Sequence, residues 1–239
     1  MRRVLTLTRM ALRELWISFR LIPLIGVPVV GGMLVTAVPP EFAGETAVGG
    51  ASFWYAVPAA VAICVASGLA ALTMAHERRR GTAAWMAVRA VPRSSVLFSW
   101  FLAFAVLLCL GIALGSVGAW LAAIGRAETS PDPLPFAAAV GATAGTALAG
   151  VAAGLLIGTT LPTVPATLLA VAVSTPLVVA GFLVPPSALP LPIGGLGLLT
   201  HLDSAVRPVA GALQAAGAAL AAAAVLLVVA GAALERSDL

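Results

Sequence analysis

The sequence predicts an all-α membrane protein of six transmembrane helices, and three observations predict it. Hydrophobic residues make up 61% of the 239 residues and charged residues only 9%, against roughly 45–50% and about a quarter in a soluble domain. The apolar residues fall in runs of about the 20 residues that cross a bilayer. The arginines gather in a few of the segments between those runs, and there is no lysine. A soluble fold of this size cannot hide so much apolar surface. The formal charge of +4 is therefore read as asymmetric loop charge, not as a nucleic-acid-binding surface.

Residues 1–20 precede the first span. Leu5, Leu12, Leu15, Trp16 and Phe19 fall near one helical face, with Arg9, Arg13 and Arg20 beside or opposite them. That is the pattern of a helix lying in the membrane interface. A basic flank that merely fixes topology shares it. A signal peptide with a cleavage site at Val35-Thr36-Ala37 is the third reading, disfavoured by the long, patterned region before the apolar run.

The first span covers 21–38 and ends at Pro39-Pro40. The second, 53–75, is stopped by His76-Glu77-Arg78-Arg79-Arg80. The third, 96–124, is long enough to tilt or protrude. The fourth covers 136–158, the fifth 166–184 and the sixth 213–234. The stretch 185–211 is apolar but broken by Pro190, Pro192, Gly194, Gly195 and Gly197. It reads as an external loop, a pair of short half-helices or a re-entrant segment, because irregular backbone at membrane depth needs cover from protein or water.

With six spans, Arg2, Arg3, Arg9, Arg13, Arg20, Arg78, Arg79, Arg80, Arg89, Arg93 and Arg236 share one face, and only Arg126 and Arg207 reach the other. This bias places both termini in the cytosol, and an odd number of spans would split the basic residues.

The loop 76–95, between spans two and three, mixes charge with apolar side chains. A short helix over 82–91 would turn Trp85, Val88 and, on its flank, Met86 outward, and Pro92 would end it. Such an apolar tip must be covered by lipid headgroups or by another protein.

The string Glu77-Arg78-Arg79-Arg80-Gly81-Thr82, then Trp85-Met86, then Val91-Pro92-Arg93-Ser94 resembles the cytosolic loop of type-2 ATP-binding-cassette permeases. The likeness covers about twenty residues in motif and the whole chain in layout. It departs where that family often has a lysine after the proline stretch and this chain has Phe98, Ser99 and Trp100.

The resemblance implies a single permease domain over 1–239 in a bacterial inner membrane, with 76–95 as a coupling loop. It implies that Glu77, Gly81, Thr82, Trp85, Met86 and Val88 form or flank the contact with a separate ATPase subunit. ATP and magnesium would be bound on that partner, with no cofactor on this chain. A second permease copy or a related chain would complete the path, and 185–211 would close it on the outer side. Gly81 can supply a turn and Thr82 a helix cap.

The residues carry no engine of their own. Without lysine there is no GxxxxGK[ST] phosphate loop, and there is no HExxH motif. His76 and His201 lack ligand-spaced companions, and no span holds a His or Asp to activate a serine. The spans also lack the ionisable groups that secondary transporters usually carry. Cys64 and Cys109 read as small core residues.

GxxxG pairs at Gly111/Gly115, Gly141/Gly145 and Gly150/Gly154/Gly158 favour internal helix packing over a subunit interface. The expectation is a non-catalytic exporter subunit for apolar or amphipathic cargo, whose nature is not specified by these residues. A secondary transporter or channel without an ATPase, and a membrane scaffold or maturation-complex subunit, remain as alternatives.

Overall fold

Helices end where the sequence places its polar interruptions. The computed structural model describes residues 2–38, 46–80, 92–127, 131–183 and 192–236. Their elements are α1 (Arg2–Ile17), α2 (Leu21–Leu34) with a 3₁₀ turn (Val35–Ala37), α3 (Ala47–Arg79) and α4 (Arg93–Arg126). There follow α5 (Pro133–Thr160), α6 (Thr163–Leu183), α7 (Gly194–Thr200) with a 3₁₀ turn (Leu202–Ser204), and α8 (Pro208–Arg236). No strand occurs among the described residues.

Local chemistry explains the ends. Thr46 caps α3, its hydroxyl accepting from the Gly49 N–H at 2.9 Å, and Asp132 caps α5 through the Leu134 N–H at 2.9 Å. Pro133 opens α5, where its missing N–H costs nothing. His76, Arg78 and Arg79 occupy the last turn of α3, where positive charge opposes the helix dipole. The helix therefore runs on past Ala75, where the apolar pattern stops.

Helices α3, α4, α5, α6 and α8 are each long and apolar enough to cross a membrane. With 21 to 34 residues they measure about 31 to 51 Å at 1.5 Å per residue, against roughly 30 Å of hydrocarbon. The chain is a multi-pass membrane protein. The expected first span differs from the others. Its regular helix stops at Leu34 and tightens to 3₁₀, and it reaches spanning length only together with α1, bent from it by 72°. Pro28 and three glycines within 21–34 weaken this helix.

The bend lies at Phe19, the one non-glycine residue with positive φ (56°) among the described residues. Its N–H donates to the Trp16 carbonyl and its carbonyl accepts from the Ile22 N–H, both at 3.1 Å. A left-handed residue other than glycine costs about 1–2 kcal/mol. Phe19 therefore lies outside the face expected for residues 1–20. Of that set Leu15 is buried and Leu12 half-buried, whereas Leu5, Trp16 and Phe19 are exposed. The buried face of α1 is Thr8, Ala11 and Leu15, and it packs on α4.

Glycine contacts give the relative directions of the helices. Gly111 abuts the backbone at Leu24 and Ile25, Gly115 the carbonyl of Pro28, and Gly118 the backbone of Gly32, so α2 and α4 run parallel. Gly150, Gly154 and Gly158 meet Ile63, Ser67 and Ala71 in turn, making α3 and α5 parallel, and Gly145 meets Ala216 and Ala219 of α8. Helix α6 opposes α3, with Gly68 against Val171 and Cys64 Sγ 3.9 Å from Thr175 Oγ1.

The arginine-rich ends Arg20, Arg79, Arg93 and Arg236 consequently fall together. Arg20 donates to Thr73 Oγ1 at 2.9 Å and Arg93 to the Leu234 carbonyl at 3.3 Å. At the other end Arg126 Nη2 donates to the carbonyls of Val35, Thr36 and Val38 at 2.9, 3.2 and 2.6 Å. Helix α2 therefore traverses the bundle from the level of Thr73 to that of Arg126.

The glycine pairs serve internal packing, as expected, except Gly141, which faces open space. Helix α3 is central, touching α2, α4, α5, α6 and α7, and the Tyr55 hydroxyl on it donates to the Ile112 carbonyl of α4 at 2.5 Å. Both cysteines are free and half-buried.

Candidate functional site

Two places in the bundle are built for more than packing. The first is the arginine-rich end of α3. Of the residues expected at an ATPase contact, Gly81, Thr82, Trp85, Met86 and Val88 lie outside the described residues. Glu77 is described and is only 5% exposed. Its carboxylate is held inside the bundle and is not projected toward solvent. Arg80 pairs with Glu14 at 3.4 Å, with both side chains largely exposed. Such a pair contributes little stability, but it joins α1 to the end of α3 at the start of the loop.

The second place is the stretch 192–204. Pro192 and Gly195 lie against α5. The Thr146 hydroxyl donates to the Pro192 carbonyl at 2.6 Å, and the Thr143 hydroxyl shares its one proton between the Gly195 carbonyl at 3.0 Å and the Ala139 carbonyl of its own helix at 2.9 Å. Thr146 is the fourteenth of the 28 residues of α5, so the chain dips about halfway down that helix before returning. Of the stretch 185–211, expected as an external loop, a pair of short half-helices or a re-entrant segment, the described residues 192–204 form the buried helix α7 and a 3₁₀ turn packed on α5; residues 184–191 lie outside the described set.

The physics of the dip is local. Backbone carbonyls at that depth need partners other than water, and two threonine hydroxyls one turn apart on α5 supply them. Gly195 is required at the closest approach, because a methyl group there would overlap the backbone of Ala142. All seven residues of α7 are buried. On the way out, His201 Nε2 lies 3.0 Å from the Phe182 carbonyl at the end of α6. Asp203 then accepts from the Thr46 hydroxyl at 2.5 Å, placing a carboxylate at the positive end of α3.

Below the tip lies a cavity of about 120 Å³ bounded by α3, α5, α6 and α8. Its lining is almost wholly apolar, with Ser67, Thr146 and Ser174 as the hydroxyl-bearing side chains and no ionisable group. It can hold a small apolar group and offers a few hydroxyls; it has no acid, base or metal donor. Among the described residues no group of three His, Cys, Asp or Glu side chains converges.

Thr143, Thr146, Gly195 and the Thr46–Asp203 contact were not legible from the sequence. The signal available was two threonines three residues apart on a glycine-rich helix and a Gly-Gly-x-Gly run that had to pack somewhere. Compared with family models, with curated proteins and with solved structures, this chain has no match.

Proposed function

We propose that this chain is the membrane-embedded permease subunit of a type-2 ATP-binding-cassette exporter, working with a separate ATPase and with a second permease chain. The observation that carries the reading is the loop after α3. The Glu77–Ser94 string resembles a coupling loop, and it joins two long antiparallel spans, α3 and α4, at the arginine-rich end. Arginine bias makes that end cytosolic. Supporting it, residues 192–204, read as a re-entrant segment, pack on α5 beside a small cavity.

In this reading ATP binding draws the loops of two permeases together, and the pull passes along α3 and α4. Helix α3 touches the long helices α4, α5 and α6 as well as α2 and α7, and its N-cap is bound to Asp203. A displacement of α3 therefore acts on the re-entrant segment directly. Glu77, being buried, would hold the end of α3 in register, while Thr82, Trp85, Met86 and Val88 would make the outward contact. The apolar lining suits apolar or amphipathic cargo. No residue of this chain breaks a bond.

The test is purification of the tagged chain from its native membrane in mild detergent, with mass spectrometry of what accompanies it. The reading expects a stoichiometric nucleotide-binding subunit, lost on Trp85→Ala or on replacement of 81–91 while expression persists. A chain that emerges alone and stable would favour the second reading, a transporter without an ATPase. Residues 192–204 beside a cavity that carries three hydroxyl-bearing side chains are the observation on that side. In that case the purified chain alone would move cargo across liposomes.

A further inference from the structure

A second cavity, of about 380 Å³, opens at the arginine-rich end between the last turn of α3 and the short turn joining α5 to α6. Arg78, Arg79, Thr160, Leu161 and Pro162 line it together with Ala75, and no carboxylate does. Arg78 is fixed there by Nη1, which donates to the Gly158 carbonyl at 3.5 Å. Its Nε is buried without an acceptor, and so is the hydroxyl oxygen of Thr163, the residue after Pro162. A buried guanidinium N–H without a partner is costly, and Thr163 directly follows Pro162, which lines the pocket.

The backbone adds to the same field. The Pro162 carbonyl accepts from the Ala166 N–H at 2.9 Å, which starts α6 there. Thr163 and Val164 then carry N–H groups with no intrahelical acceptor. The first turn of α6 has no acidic residue, so the positive end of this 21-residue helix is not neutralised from within. Guanidinium forks, a free hydroxyl and a helix N-terminus are the donor set for a tetrahedral oxyanion. The turn joins two membrane spans, so the pocket mouth is at headgroup level.

We propose that this pocket binds the phosphate of an anionic phospholipid headgroup in the leaflet at the arginine-rich end. The acyl chains would lie along the exposed apolar side of α6, where Val164 and Leu168 are 69% and 66% exposed. This site is independent of whether an ATPase couples to the chain.

The experiment is native mass spectrometry and thermal unfolding of the detergent-purified chain titrated with phosphatidylglycerol, phosphatidylcholine or inorganic phosphate. Phosphatidylglycerol is retained over phosphatidylcholine and raises the unfolding midpoint. Arg78→Gln and Arg79→Gln each lower that preference about fivefold, the weight of one basic side chain at a membrane surface. The double variant abolishes it, and Arg236→Gln, at the same end but outside the pocket, keeps it. Thr163→Val, which preserves shape, gives a smaller loss and serves if the arginine variants fail to fold. A preference that survives in the double variant overturns the site. Arginine-dependent protection by inorganic phosphate without any by the lipid overturns the lipid source.

Discussion

Residues 192–204 rest on two hydroxyls of α5, so removing them should release this segment without dismantling the bundle. Thr146→Val and Thr143→Val keep side-chain shape and delete the donors to the Pro192 and Gly195 carbonyls, at 2.6 and 3.0 Å. Net values for hydrogen bonds cluster near 1 kcal/mol in proteins and nearer 0.6 kcal/mol between membrane helices, with a maximum of about 1.7. Taking about 1 kcal/mol per latch, each single variant should speed opening about fivefold and the pair about thirtyfold. Hydrogen exchange by mass spectrometry in nanodiscs reads this in the peptides covering 192–204. The helices α3 and α5 should keep their protection. An exchange rate for 192–204 in the double variant within twofold of the parent would refute the reasoning, because the segment would then be held by packing alone.

Four further outcomes follow from the packing. Gly115→Val forces a side chain against the Pro28 carbonyl and the Tyr55 hydroxyl and should lower stability by about 1–3 kcal/mol, seen as a lower thermal midpoint. Gly141→Ala, at a helical position with nothing within 4 Å, should raise the midpoint, because alanine is favoured over glycine by up to about 1 kcal/mol. Arg126→Met removes three carbonyl contacts at the end of α2; amides of 33–38 should exchange faster while 192–204 stay protected. Phe19→Gly relieves the left-handed backbone at the elbow, and unfolding should move upward or stay unchanged; a clear drop would mean that the aromatic side chain, 71% exposed, is itself anchored.

Long apolar runs made most of the fold legible. Five spans were placed to within a few residues, apart from helix starts extended by caps such as Thr46. The first span was less legible, since hydropathy reports composition while Pro28, the glycines and Phe19 decide where the helix bends and stops. Of the face expected for residues 1–20 only Phe19 falls outside α1, because periodicity assumes a helix that continues and this one ends at Ile17. The glycine pairs were readable as internal packing because a close approach needs a partner backbone, and five long helices in one chain supply several. Nothing in the sequence paired Thr143 with Gly195 or Thr46 with Asp203. Those contacts join residues 52 and 157 positions apart, and only the folded bundle brings them together.

The measurement that bears most directly on the account is side-specific cysteine labelling of the chain in sealed membrane vesicles, with Cys64 and Cys109 replaced by alanine. The account predicts that Ala84→Cys and Thr160→Cys label from the side that also exposes the two termini. Ala43→Cys, Ser130→Cys and Ser187→Cys should label only from the opposite side. Ala43 and Ala84 reacting from one side, or Ser187 reacting from the side of Ala84, would contradict the alternating bundle and the re-entrant segment together.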